Sequence, residues 1–100
     1  PSLAPVKAGI FPLMKKDGLP EIAEKLYKDL AKHWPVDYDI SGAIGKRYYR
    51  QDELGTPFCI TVDYESKDDA KATVRERDSR SQERVSLDRM AEYIRDRLQD

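Results

Sequence analysis

Val6-Lys7-Ala8-Gly9-Ile10-Phe11-Pro12-Leu13 carries a single charge and stops at Pro12 and the cluster Lys15-Lys16-Asp17-Gly18. A short apolar run bounded by turn formers reads as a strand buried on both faces, the kind found in the middle of a largely parallel sheet. Downstream, Leu19, Ile22, Ala23, Leu26 and Leu30 recur at the spacing of one helix face, with Asp17 available as N-cap and Pro20 tolerated in the first turn. A helix is therefore expected from about Asp17 to His33. Val36 to Asp39 follows Pro35 as a short strand, and Ser41-Gly42 turns the chain before Ile44-Gly45 opens a second helix that Gly55 ends. Phe58-Cys59-Ile60-Thr61-Val62 is another apolar run rich in β-formers, expected to lie parallel to the first through a helical crossover.

The polar stretch Glu65 to Lys71 is too short for a helical crossover, so Ala72 to Asp78 is expected to return antiparallel. Gln82 to Val85 forms a further strand after the Asp78-Ser79 turn, and Leu87, Met90, Ala91, Ile94 and Leu98 mark a closing helix. The fold class is α/β: a mixed five-stranded sheet flanked by three helices, written βαβαββα. A chain of 100 residues makes one domain over 1–100. Folding at this size hides only about 60 to 70% of the unfolded surface, which leaves a modest core and argues against large cofactor cavities.

Charged residues make up 37% of the chain and apolar ones 39%, enough apolar content to fold. Lys and Arg number 18 against 19 Asp and Glu, so no general positive field attracts nucleic acid, and any such contact must be local. The lone Cys59 rules out an internal disulfide and every zinc pattern that needs several cysteines, which fits a reducing, cytoplasmic setting. No apolar run approaches the roughly 20 residues of a membrane span, and the N-terminus lacks a signal-peptide layout, so no membrane partner is expected. The start at Pro1-Ser2-Leu3, without a methionine, suggests a piece of a longer polypeptide.

Catalytic chemistry finds no foothold. His33 is expected in the last turn of the first helix, where a cation or donor favours the exposed carbonyls, and no nucleophile pairs with it. Cys59 lies within an apolar strand, where a thiol acts as a small hydrophobe. Gly42-Ala43-Ile44-Gly45-Lys46 lacks the glycine spacing and Lys-Ser/Thr ending of a phosphate loop. It reads as a strand-to-helix turn, with the alternative that the helix N-terminus offers amides to an RNA phosphate.

Two constellations suit binding. Lys46, Arg47, Tyr48, Tyr49, Arg50, Gln51, Asp52 and Glu53 gather basic, aromatic and hydrogen-bonding groups on one short helix. Arg50 and Glu53 are also spaced to pair with each other, and Tyr48, four residues from Ile44, is expected in the core. Thr73, Arg75 and Arg77 alternate with Val74, Glu76 and Asp78, so the strand period sends both arginines to one face. That face is either laced with cross-strand ion pairs or open to a ligand.

The segment from Gly42-Ala-Ile-Gly-Lys-Arg-Tyr-Tyr-Arg-Gln-Asp-Glu-Leu-Gly-Thr-Pro-Phe-Cys-Ile-Thr-Val to Asp63 resembles glycyl-tRNA synthetases, as do Val6 to Leu19 and Thr73-Val-Arg-Glu-Arg-Asp-Ser79, in order and spacing. Histidyl, prolyl and threonyl relatives share the Gly-x-Pro-aromatic entry seen at Gly55 to Phe58, whereas Arg50-Gln-Asp-Glu53 and Arg75-Glu-Arg-Asp78 resemble the glycyl branch. The resemblance implies the C-terminal anticodon-binding domain of class IIa synthetases, non-catalytic in itself. It implies a parent that joins glycine to tRNA with ATP and magnesium in a separate catalytic domain of the same polypeptide, the parent being a homodimer. The same fold occurs in the accessory subunit of mitochondrial DNA polymerase, which keeps a non-catalytic accessory or protein-interaction role as the alternative.

Glycine anticodons carry two cytosines, each showing two acceptors and one amino donor on its Watson–Crick edge. Arginine supplies donors and a carboxylate accepts from the amino group. Arg75 and Arg77 are the expected donors, Arg75 first because its position matches an anticodon-site arginine in threonyl relatives; Asp63, Glu65 and Glu76 are the candidate acceptors. Lys46, Arg47 and Arg50 are expected on phosphates, and Lys15 and Lys16, at the carboxyl end of the first strand, are further phosphate candidates.

Overall fold

The computed structural model describes residues 4–98, so the initial Pro1-Ser2-Leu3 lies outside the described residues. Its elements are β1 (Ala8–Pro12), α1 (Leu19–Ala31), β2 (Val36–Tyr38), α2 (Ile44–Leu54), β3 (Phe58–Val62), α3 (Ser66–Asp69), β4 (Lys71–Glu76), β5 (Gln82–Ser86) and α4 (Met90–Arg97), with a 3-10 turn at Leu87–Arg89 before α4. The mixed five-stranded sheet is as expected, but the order βαβαββα is one strand short and lacks the single-turn α3. The polar stretch after β3 has room for one helical turn, which drops the chain into β4.

The strands lie in the order β2-β1-β3-β4-β5. β1 is parallel to both β2 and β3, while β4 returns antiparallel to β3 and β5 antiparallel to β4. β1 and β3 are buried along their whole length, as apolar runs without alternation require. Ala8, Ile10, Phe58, Ile60, Val62, Ala72 and Val74 face one side of the sheet and pack with Leu19, Ala23, Leu26 and Leu30 of α1 and Met90 and Ile94 of α4. Residues of opposite parity, Gly9, Phe11, Cys59, Thr61, Thr73 and Arg75, face the side that α2 crosses.

Asp17 does not cap α1. Asp17 (φ 61°) and Gly18 (φ 81°) both take left-handed backbone to reverse the chain out of β1, and the N-cap position falls to Gly18. The Asp17 carboxylate instead accepts from the Tyr64 hydroxyl at 2.6 Å, tying the loop after β1 to the loop after β3. The second helix ends at Gly55 as expected, through a left-handed C-cap with φ 76°.

Gly9 marks the closest approach of α2 to the sheet. A Cβ there would lie 2.9 Å from Cγ and 3.0 Å from Cδ of Gln51 and 3.2 Å from Cζ of Phe11. Gln51 cannot swing aside, because its amide donates to Asp37 Oδ2 at 3.1 Å and its carbonyl accepts from the Thr56 hydroxyl at 2.7 Å. Gly9→Ala is expected to destabilise the fold by about 1–3 kcal/mol, as over-packing does. Gly45→Ala, in a helical position with open space around its Cβ, is expected to be neutral or to stabilise by up to about 1 kcal/mol. Urea unfolding followed by circular dichroism checks both.

Candidate nucleic-acid interface

Helix α2 spans the sheet face from the carboxyl end of β1 to the start of β3, and its inward residues decide what the face offers. Arg47 is 3% exposed. Its guanidinium donates to the carbonyl of Pro12 at 2.7 Å and twice to the carbonyl of Gly42, at 3.1 and 3.3 Å. It braces the end of β1 against the turn that opens α2, and with its donors directed inward it does not hold an RNA phosphate. At the next residue, the Tyr48 ring meets Phe11 edge-on at 5.2 Å, and its hydroxyl hydrogen-bonds the Thr61 hydroxyl. Burial raises the Tyr48 pKa, so the phenol stays protonated.

The remaining arginines divide by how their donors are used. Arg50 gives Nε and Nη2 to Asp39 Oδ2 at 3.0 and 2.8 Å and a further bond to the carbonyl of Ser41 at 2.6 Å. Its donors go instead to Asp39, just past β2, with both nitrogens on one carboxylate oxygen, rather than to Glu53. Burial favours the neutral form of Asp39, but the Ser41 N–H and the Arg50 guanidinium outweigh it and leave its carboxyl below the usual range. Arg84 of β5 binds Asp69 at 2.9 and 3.1 Å and Asp63 at 3.2 Å, clasping α3 and the end of β3 to the sheet edge.

Arg75 stands apart. Its guanidinium carbon lies 5.1 Å from the centre of the Tyr48 ring, and Nη2 is 3.7 Å from Asp52 Oδ2, a distance that holds an ion pair but is too long for a hydrogen bond. Arg77 shares the same face, as the strand period requires; it donates to the backbone carbonyl of Asp52 at 3.3 Å and to Asp78 Oδ1 at 3.1 Å. Arg75, Arg77 and Arg80 line, with Asp52 and Asp78, an open polar hollow of about 340 Å³.

The proposed acceptors fare differently. Glu76 has the opposite strand parity, faces away from Arg75 and accepts from the Ser79 hydroxyl at 2.6 Å, so it cannot share a base with that arginine. Asp63 is bound by Arg84 and by the Ser66 hydroxyl and N–H, which leaves it a structural anchor. Glu65 is exposed, beyond the last residue of β3, whereas Arg75 pairs with Cys59 near that strand's start. Lys15 and Lys16 line a separate, more apolar hollow of about 540 Å³ with Leu13, Met14 and Gly42 to Ile44, and Lys46 stands exposed in the first turn of α2. The face thus has two stations: lysines around an apolar hollow at the carboxyl end of β1, and arginines with aspartates at the opposite end of α2.

Sequence reasoning missed Asp52. The available signal was its spacing, four residues after Tyr48, which puts both on the inward face of α2. Among the described residues no group of three or more His, Cys, Asp or Glu side chains is gathered as around a metal ion. His33 lies just past α1 and packs its ring against Trp34 at 5.4 Å.

Residues 7–97 match the family described as the anticodon binding domain. The chain belongs to that family. This domain is 58% identical over 96 residues to a glycine–tRNA ligase of Corynebacterium glutamicum, covering 96% of this chain and 21% of that protein. It is 52% identical over 98 residues to a glycine–tRNA ligase of Rhodopirellula baltica, covering 98% of this chain and 18% of that one. The domain therefore spans about a fifth of the length of these curated relatives. Its fold is that of a segment of the prolyl-tRNA synthetase of Cryptosporidium parvum, with a TM-score of 0.89 at 20% identity, over 98% of this chain and 22% of that one. Both curated relatives are named glycine–tRNA ligases, and neither is a polymerase accessory subunit.

Arg47→Ala is expected to cost about 2–3 kcal/mol, since it leaves two backbone carbonyls short of donors, while Lys46→Ala leaves stability within about 0.5 kcal/mol; thermal melts of the two variants check this. Burial pushes the Cys59 thiol up to about 12. Iodoacetamide at pH 8 is therefore expected to leave folded chain unmodified and to alkylate it once urea unfolds it, as read by mass spectrometry.

Proposed function

We propose that the chain is the tRNA-reading domain of a glycine–tRNA ligase, recognising the two anticodon cytosines of the glycine tRNAs. Arg75 is the observation that carries this reading. Arg47, Arg50 and Arg84 are hydrogen-bonded to carbonyls or carboxylates of the fold, whereas Arg75 is steadied by a ring and a loose ion pair while its donors border an open hollow. A planar donor group held on a strand, with hydrogen bonds still to make, suits the N3 and O2 acceptors of an unpaired cytosine. Arg77 and Arg80 supply positive charge at the rim, and Lys15, Lys16 and Lys46 suit phosphates, which position the loop without reading it.

The similarity to whole ligases supports the rest. Glycine, ATP and magnesium belong to a separate catalytic domain of the same polypeptide, and the parent is a cytoplasmic homodimer. The domain itself is expected to show no ATP–pyrophosphate exchange. Alone, it binds RNA weakly and with strong salt dependence, since its charges of 18 positive and 19 negative give little general attraction.

Arg75→Ala in the parent enzyme is expected to lose about 1–3 kcal/mol of discrimination for cytosine, by analogy with base readout in DNA, while the fold survives. Lys46→Ala is expected to weaken all RNAs about equally and to lower the salt slope by about one. Charging assays with tRNAs altered at each anticodon cytosine separate reading from holding. If folded Arg75→Ala keeps its full preference at both positions, the reading is wrong.

A further inference from the structure

We infer that Asp52 is the second half of the reading pair: its carboxylate accepts from the exocyclic amino group of a cytosine whose N3 and O2 face Arg75. The inference rests on the proposed reading of anticodon cytosines and adds the acceptor that sets cytosine apart from uracil.

Asp52 and Arg75 sit side by side on two different elements, with Oδ2 and Nη2 3.7 Å apart. Neither side chain has a hydrogen bond among the described residues, in contrast to Asp39, Asp63 and Asp69, whose carboxylates are all bound by arginine. Both are partly exposed, at 39% and 28%, and both line the open hollow of about 340 Å³. A volume of that order lies within the range of ligand pockets. The hollow therefore presents one acceptor and one donor fork at neighbouring positions, the complement of a cytosine edge with its amino donor beside ring and carbonyl acceptors. Uracil has a carbonyl where cytosine has its amino group, and that carbonyl would meet a carboxylate.

The surroundings fix both groups. Tyr48 lies beneath the Arg75 guanidinium, and the bond from its hydroxyl to Thr61 fixes the ring. The Arg77 Nε bond to the Asp52 carbonyl anchors the backbone that carries the acceptor. Asp52 occupies the last turn of α2, where a negative charge opposes the helix dipole and no basic residue of that turn relieves it.

The test uses the 100-residue chain and anticodon stem-loops carrying cytosine, uracil or 2-pyrimidinone, which is cytosine without its amino group, at each of the two positions. Wild type is expected to prefer cytosine over 2-pyrimidinone about tenfold at one position, the loss expected when a charged acceptor goes unpaired. Asp52→Ala is expected to bring that ratio within about twofold. Asp52→Asn, whose amide can turn its NH₂ toward a carbonyl, is expected to narrow the cytosine-to-uracil ratio, the remainder resting on Arg75 facing the uracil N3–H, while far-ultraviolet circular dichroism stays native. If the folded variants keep the wild-type ratios, or if Asp52→Ala weakens cytosine and 2-pyrimidinone equally, the acceptor role is overturned while the arginine reading stands. If wild type itself does not separate cytosine from uracil at either position, the underlying reading falls as well.

Discussion

Contact of α2 with β1 at Gly9 sets the height and heading of everything on the open face. The Gln51 side chain fills the space where a Cβ would stand, and its bonds to Asp37 and Thr56 hold it between β2 and the entry to β3. With that contact fixed, Arg47 reaches Pro12 and Gly42 at one end of the helix. Tyr48 comes down on Phe11 and Thr61 in the middle, and Asp52 arrives beside Arg75 at the other end. A helix seated further out would still bury apolar surface, but it would separate the carboxylate on α2 from the guanidinium on β4. The candidate site is thus a consequence of how one helix packs, built on a helix and a strand that hold side chains more rigidly than loops do.

The same packing explains how a chain with nearly balanced charge keeps a local cationic patch. Arg47, Arg50 and Arg84 are consumed by the fold: one by backbone carbonyls, two by carboxylates at strand and helix ends. Arg50 and Arg84 also occupy their aspartate partners, so little unpaired charge of either sign remains around them. Arg75, Arg77 and Arg80 then cluster on one hollow with only Asp52 and Asp78 among them. Net charge describes attraction at a distance, whereas recognition depends on which donors remain open at contact.

Much of this was legible in the sequence. β3 was readable residue for residue because an apolar run rich in β-formers between Pro57 and Asp63 has no competing period. Gly55 as a C-cap and the shared face of Arg75 and Arg77 followed from local rules alone. What failed did so for tertiary reasons. Asp17 has the chemistry of an N-cap, but the reversal out of β1 put it in left-handed backbone and gave its carboxylate to Tyr64, 47 residues away. Arg50 has the spacing to pair with Glu53, and a better partner at Asp39 came from another element. Arg47 looked like a surface cation in a basic run, and only the depth of α2 against the sheet shows that it is interior. Arg84 was not among the sequence candidates, yet it disables Asp63 as a reader by binding it.

These misses share a direction, and it bears on how the face works. Sequence spacing finds charged groups, but it does not tell which have their hydrogen bonds completed by the fold. Completed pairs contribute shape and rigidity; incomplete ones contribute recognition, because a buried or half-buried donor left without a partner favours whichever ligand supplies one. By that criterion Arg75 and Asp52 differ from the other charged pairs of the α2 face, which sit at hydrogen-bonding distances of 3.2 Å or less. On the proposed reading the domain need not create affinity there, since phosphate contacts at the lysine station would supply it. It needs only to leave one donor and one acceptor unmatched at a fixed separation, so that a base whose edge fits both completes two bonds and a base that fits one leaves the other group unpaired.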